Sequence, residues 1–335
     1  MRTIDWVDGA VRIVDQTALP DREVWLDLST VEDLVEAIRR LAVRGAPALG
    51  VAGALGVALA ARQHAGSDAE HRGADGAGLA EAVRLLRAAR PTAVNLARGV
   101  DLACAALPQG PDAVLAAALG LRDAEIAASA AMARLGADLV GELCRPAPRV
   151  LTHCNTGALA SVTGGTALAV VAELARRGRL GGVIASETRP LLQGSRLTAW
   201  ELGRLGIAYR IAVDGAGPYL MARGEVDLVL VGADRVCANG DVVNKVGTYA
   251  HALGARAAGI PFVVVAPEST VDSETEAGSD VPIEDRDPAE VLGYGGVRIA
   301  PREAHAANPA FDVTPHRLVT ALVTETRVVS GRAPS

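Results

Sequence analysis

Five short apolar runs, residues 149–153, 182–186, 208–213, 226–231 and 261–266, punctuate the second half of the chain, and helical patterns fill the spacers between them. Short strands separated by helices are joined by right-handed crossovers, which gives a mostly parallel sheet covered on both faces. That requirement restricts this half to an α/β arrangement. It also predicts where ligands bind: outside the carboxyl ends of the strands, near the point where strand order reverses. A helix is expected over residues 158–177 after the first run, and another reaching Trp200 and Leu205 after the second.

Ahead of residue 146 the texture differs. Val11-Arg-Ile-Val-Asp15 and Glu23-Val-Trp-Leu-Asp-Leu28 alternate apolar and polar side chains around Leu19-Pro20-Asp21, the pattern of a short antiparallel hairpin. From Val31 to about Leu143 the spacing is helical and alanine-rich, punctuated by Pro47, Pro91 and Pro108. Gly50, Gly53 and Gly56 recur in the apolar run 46–61, which reads as a buried helix open to close approach and is shorter than a membrane span. The small, polar segment 66–76 reads as a mobile surface loop and residues 331–335 as a frayed tail. The chain thus divides into a smaller, mainly helical domain with an N-terminal β-hairpin (residues 1–145) and a Rossmann-like domain (residues 146–330).

With 335 residues, half of them apolar, the chain can bury two cores. A net charge of −6 and scarce aromatic residues argue against nucleic acid as a partner. Cys104, Cys144, Cys154 and Cys237 form no CxxC pair, and the amino terminus lacks the apolar core of a signal peptide. A reduced, cytoplasmic protein without membrane attachment is expected. No His/Cys/carboxylate group has zinc spacing, and neither a P-loop nor a complete GxGxxG occurs, so no metal or nucleotide cofactor is implied. The acidic stretch Glu284-Asp-Arg-Asp287 reads as a solvated loop.

Chemistry-bearing residues collect where strands end: Thr152-His-Cys-Asn-Thr-Gly157, then Glu187-Thr-Arg-Pro-Leu-Leu-Gln-Gly194, then Gly232-Ala-Asp-Arg235 with Asn244-Lys245. Cys154 sits at a strand-to-helix turn, where a thiol is either activated by its surroundings or simply buried as a small hydrophobe. Asp234 follows an apolar strand, as a general acid held in low dielectric does and as a helix-capping or Arg235-paired carboxylate also does. His153 has the position of a core histidine, and Cys237 that of a packing residue. Arg44-Gly-Ala-Pro47 opens the glycine-rich helix, so a guanidinium lies beside free backbone N–H groups, an arrangement that holds anions such as phosphate. Arg90, ahead of Pro91, is a second candidate cation, and Lys245 stands out in a chain almost devoid of lysine.

Taken together these segments resemble the methylthioribose-1-phosphate isomerase family, whose fold is shared with regulatory subunits of a translation-initiation exchange factor. The resemblance rests on Val43-Arg-Gly-Ala-Pro47, Arg90-Pro-Thr-Ala-Val-Asn-Leu96, Thr152-His-Cys-Asn155, the stretch from Glu187 to Leu202, that from Gly232 to Tyr249, and Asn308-Pro-Ala-Phe-Asp-Val-Thr-Pro315. It implies a cofactor-free aldose–ketose isomerase of methionine salvage, acting on a sugar 1-phosphate as a homodimer. It further implies Cys154 and Asp234 as the catalytic pair, with Arg44, Gly45, Ala46, Arg90, Gln193, Asn244 and Lys245 holding substrate. Ser186, where Asp is common, and Ala160-Ser-Val-Thr-Gly-Gly-Thr166 depart from the family pattern. Ribose 1,5-bisphosphate and 5-deoxyribose 1-phosphate are alternative substrates of the same chemistry, separated by what the C5 substituent demands of its pocket. A non-catalytic sugar-phosphate- or nucleotide-binding role is the alternative from another class.

Overall fold

The computed structural model describes residues 1–64, 72–91 and 93–331. Its internal contacts divide the chain into two units, Met1–Ala130 with Gly157–Gly165, and Ala131–Thr156 with Thr166–Ser335.

The first unit opens with β1 (Ile4–Val7), β2 (Ala10–Val14) and β3 (Trp25–Leu28), an antiparallel sheet in that order. The expected hairpin over residues 10–30 is thus the second half of a three-stranded meander. Asp8 and Gly9, at φ 50° and 86°, join Val7 to its partner Ala10, and Asp-Gly between alternating stretches is a strong hairpin signal. Helices α1 (Val31–Arg39), α2 (Ala46–Gln63), α3 (Arg72–Ala88) and α4 (Val94–Cys104) follow, and α5 (Pro111–Leu143) carries the chain past Ala130. Thr30 caps α1 by accepting the Asp33 N–H at 3.1 Å. Residues 72–76, expected as loop, instead open α3; no proline interrupts them, and a helix once nucleated propagates through such a tract. Residues 65–71 and 332–335 lie outside the described residues.

α2 spans 18 residues and is apolar enough to cross a membrane by length and composition, a length the run 46–61 alone understates, yet 83% of it is buried within the fold. It is the core helix of the first unit, buried among Leu34, Leu86, Leu96 and Val100. Close approach is built in. A Cβ on Gly99 of α4 would lie 1.9 Å from the Gly50 carbonyl oxygen, and one on Gly53 would lie 2.7 Å from that of Leu96. Both obstacles are backbone, so neither can rotate away. Gly99→Ala is therefore expected to destabilise the protein by about 3 kcal/mol, the upper part of the usual overpacking range, read as a lowered urea midpoint.

In the second unit the chain runs β4 (Arg149–Thr152), α6 (Ala167–Arg176), β5 (Gly182–Ser186), α7 (Ala199–Arg204), β6 (Tyr209–Ala212), α8 (Ala216–Ala222) and β7 (Leu228–Val231). It continues through β8 (Arg235–Cys237), β9 (Val242–Lys245), α9 (Thr248–Ala258), β10 (Phe262–Val265), β11 (Val271–Asp272), α10 (Ala289–Leu292), β12 (Gly293–Tyr294), β13 (Val297–Arg298), β14 (Phe311–Thr314), β15 (Ala321–Val323) and β16 (Val328–Ser330). Helix α6 begins at Ala167, not near residue 158: residues Ala158–Ala160 form one 3-10 turn, and Gly164 and Gly165, at φ 65° and 93°, break the path.

The main sheet has seven strands in the order β16-β15-β10-β7-β4-β5-β6, all parallel except β16. The expected Rossmann-like, mostly parallel sheet is present. After β4 the chain steps outward to β5 and β6, then returns to the other side of β4 with β7 and proceeds to β10 and β15. Strand order therefore reverses between β4 and β7, and the loops leaving these neighbours diverge there. A second sheet, β11-β8-β9-β14, grows from the loop after β7.

Candidate functional site

The two strands at the reversal deliver Cys154 and Asp234. Cys154 lies two residues past β4, is only 9% exposed, and holds φ at +60°. A left-handed backbone at a non-glycine residue is uncommon and costs about 1–3 kcal/mol. Two threonines hold it there: the Cys154 N–H donates to Thr188 Oγ1 at 2.9 Å, and the Thr198 hydroxyl donates to the Cys154 carbonyl at 2.6 Å. Asn155, next in the chain, donates to Glu201 at 2.7 Å.

Asp234 lies three residues past β7 and is half-buried. A strand follows it rather than a helix, which removes the helix-capping reading, and its N–H donates to the Val243 carbonyl at 2.9 Å. Arg235 is bonded to Asp272 at 2.9 Å. The Val243 contact sets Asp234 beside the strand that carries Asn244 and Lys245. Both are buried; Asn244 donates to Thr248 at 2.9 Å, and Lys245, the one lysine of the chain, donates from Nζ to the Ala310 carbonyl at 2.7 Å over the Phe311 ring. Neighbours on a strand point to opposite faces, so these two approach from different directions.

The loop after β4 touches the others. His153 Nε2 donates to the Val246 carbonyl at 2.8 Å, tying the Cys154 loop to the end of β9, and a Cβ on Gly232 would lie 3.0 Å from the Thr156 side chain. Gln193 is buried in the segment that runs from Thr188 to Thr198, and its Oε1, like Thr152 Oγ1 and Thr156 Oγ1, has no hydrogen-bond partner among the described residues. Buried polar atoms left unpaired cost about 1–3 kcal/mol each. Cys154, Gln193 and Asp234 thus lie on segments that follow strands of the main sheet, with Asn244 and Lys245 on β9 beside Asp234.

Arg44, Gly45, Ala46 and Arg90 belong to the first unit. Gly45 precedes α2 with φ 97°, and a Cβ there would lie 2.4 Å from the Ala160 carbonyl oxygen, so only glycine fits. Arg44 is buried and Arg90 half-buried. Asn95 in the first turn of α4 packs on Gly50 of α2, which brings the amino ends that follow Arg44 and Arg90 near one another.

Burial shifts several further groups. Burial pushes Cys237 up, and pushes Cys144 up to about 11. Burial also pushes His153 down to about 4 and His251 down to about 3, so both imidazoles are neutral near pH 7, packed edge to face at 4.9 Å. The unfolded chain therefore binds more protons at these positions between about pH 4 and 6.5, and stability is lost as pH falls through that window. Asp312, pushed up to about 6 by burial while it accepts N–H bonds from Gly247 and Tyr249, acts in the opposite sense between 3.8 and 6. Two groups outweigh one. The expected result is a fall of roughly 3 kcal/mol in unfolding free energy between pH 7 and pH 4.5, most of it absent in His251→Gln, measured by urea titration at each pH.

Sequence reasoning assigned no role to Thr188, Thr198 or Asp214, and marked Ser186 only as a departure from the family pattern. The carboxyl end of β6, from which Asp214 follows, carried the same positional signal as that of β7, and Thr188 stood inside a segment already singled out.

Fold and site together define a class: an α/β protein that sets a thiol and a carboxylic acid at the reversal point of a parallel sheet. The model of the Initiation factor 2 subunit family matches residues 42–330. A methylthioribose-1-phosphate isomerase of Anaeromyxobacter sp. (strain K) is 52% identical over 97% of this chain and 91% of its own length. A 5-deoxyribose 1-phosphate isomerase of Moorella thermoacetica is 48% identical over 97% of this chain and 93% of its own. The crystal structure of 5-methylthioribose 1-phosphate isomerase from Pyrococcus horikoshii OT3 superposes with a TM-score of 0.89 at 39% identity, covering 98% of this chain and 92% of that one. This chain also spans 60% of a longer Nocardia farcinica relative, 51% identical, named a probable bifunctional methylthioribose-1-phosphate isomerase/methylthioribulose-1-phosphate dehydratase. The chain belongs to the Initiation factor 2 subunit family, in the group that holds the methylthioribose-1-phosphate isomerases.

Proposed function

We propose that the protein is an aldose–ketose isomerase that converts 5-methylthioribose 1-phosphate to 5-methylthioribulose 1-phosphate in methionine salvage. The observation that carries this reading is the pairing of Cys154 and Asp234 on loops that leave β4 and β7, together with relatives named for that reaction. The chemistry asks for such a pair. With the anomeric oxygen esterified by phosphate, the sugar ring cannot open by losing a hydroxyl proton. Asp234 protonates the ring oxygen, the bond from that oxygen to C1 breaks, and C1 becomes oxocarbenium-like. Hydrogen then passes from C2 to C1 with its electron pair, and the C2 hydroxyl proton returns to the Asp234 carboxylate, which closes the proton count and leaves the ketone. Cys154 lies against the migrating hydrogen and holds water away from it. Gln193 and Asn244 take substrate hydroxyls, and Lys245 takes negative charge; Arg44 with the N–H groups of Gly45 and Ala46, and Arg90, are the phosphate-binding groups of the first unit.

A relative named 5-deoxyribose 1-phosphate isomerase supports the same reaction on a second C5 substituent. The test is turnover of methylthioribose 1-phosphate, 5-deoxyribose 1-phosphate and ribose 1,5-bisphosphate, without added metal, followed by phosphorus NMR. Preference for the methylthio sugar supports the reading. Preference for another moves the protein to a different pathway with the chemistry intact, and conversion of none leaves a sugar-phosphate-binding regulatory protein.

A further inference from the structure

We propose that Asp214 is a positioning residue that fixes the backbone of Cys154 through Thr188. Thr188 has φ +67°, an outlier for a β-branched residue, and Leu192 has φ +56°, so the loop after β5 is held in a strained path together with Cys154. What over-determines that path is Asp214, two residues past β6. Its carboxylate accepts the Ser186 hydroxyl at 2.5 Å and the N–H groups of Thr188 and Arg189 at 2.7 Å each. Hydrogen bonds to a carboxylate are about twice as strong as neutral ones. His251 Nε2 donates to Ser186 Oγ at 3.3 Å, which orients that hydroxyl toward Asp214. Gly194 closes the loop from its other side, since a Cβ there would lie 1.7 Å from the Ser186 carbonyl oxygen.

Locked in this way, Thr188 presents Oγ1 to the Cys154 N–H and donates its own proton to the Ser186 carbonyl at 2.9 Å. The direction of the Cys154 Cα–Cβ bond, and hence the place of Sγ, follows from the backbone angles that this bond maintains. Relaxation of Cys154 to an ordinary extended conformation would swing the sulfur away, and a displacement of about 1 Å at a reacting group is enough for a rate loss of about 100-fold.

The catalytic half of this inference rests on the role given to Cys154 above; the geometric half does not. Two readouts separate them. The first is the alkylation rate of Cys154, resolved by peptide mass spectrometry in Thr188→Ala, Thr188→Ser and Asp214→Asn, with the half-buried Cys104 and Cys144 as internal references for global loosening. The second is the split of kcat against KM. Thr188→Ala and Asp214→Asn are expected to raise Cys154 alkylation about fivefold or more without change at Cys104 and Cys144, and to lower kcat about 10- to 100-fold with KM within about threefold. Thr188→Ser keeps the hydroxyl and is expected to restore both. Unchanged Cys154 alkylation, an equal rise at all cysteines, or failure of Thr188→Ser to rescue would overturn the positioning role. If alkylation shifts as expected while Cys154→Ala turns over normally, the positioning stands and the catalytic assignment of Cys154 falls.

Discussion

Asp234→Asn is expected to lower kcat by about 10²- to 10⁴-fold, the usual yield of a positioned general acid, while the dissociation constant of the substrate changes by less than about threefold. The size follows from the leaving group. Opening the ring of a 1-phosphate breaks a C–O bond to an alkoxide-like oxygen, which needs a proton as the bond parts, and an amide has none to give. Binding persists because Asn keeps the shape and the Asp234 N–H bond to Val243, which holds the loop on β9, is a main-chain contact. A variant that retained near-normal turnover would remove Asp234 from the acid role and transfer it to another group. Loss of binding together with turnover would instead assign Asp234 to holding the sugar. The comparison needs kcat at saturating substrate and binding measured by calorimetry on the same preparation.

The fold was legible where hydrophobic period and punctuation agree. Val150, Leu151, Val183, Ile184, Val229 and Val264 are buried strand residues in runs bounded by glycine or proline, and such runs announce a covered parallel sheet from composition alone. The switch point follows only from strand order, which no single segment encodes. The helix expected from residue 158 failed because Gly164 and Gly165 adopt left-handed angles that a helical pattern does not reveal. Within the site, residues that bear the chemistry in their own side chains, such as Cys154 and Asp234, were recognisable by type and position. Gln193 came from resemblance only. The role of Asp214 and Thr188 was hidden for a physical reason: they act on backbone N–H groups of other segments, and nothing in a sequence marks which main-chain group a carboxylate or hydroxyl will reach. The positive φ of Cys154 and Thr188 was equally hidden, since only glycine advertises that region.

Cys154→Ala is expected to lower kcat by about 10²-fold or more, with the fold intact, because the thiol is a small side chain whose removal leaves a cavity no larger than one sulfur. The more informative arm is Cys154→Ser. Serine preserves size and hydrogen-bonding capacity but is far less acidic and less polarisable than cysteine. If Cys154 removed the C2 hydrogen as a proton, wild-type turnover in deuterium oxide would place deuterium at C1 of the ketose to the extent that the newly formed S–H exchanges with solvent during the lifetime of the phosphoenolate. If the hydrogen migrates with its electron pair, C1 keeps its protium. Cys154 is 9% exposed and follows the neutral His153 in the chain, whose own imidazole is pushed down to about 4, so the thiol is largely buried and His153 is a poor base beside it. Retention of protium at C1 is the expected result, with Cys154→Ser keeping more activity than Cys154→Ala because it still fills the space beside the migrating hydrogen. Deuterium at C1, together with a serine variant as slow as the alanine one, would replace the hydride route by proton abstraction through a phosphoenolate, with the Cys154 thiolate as its base.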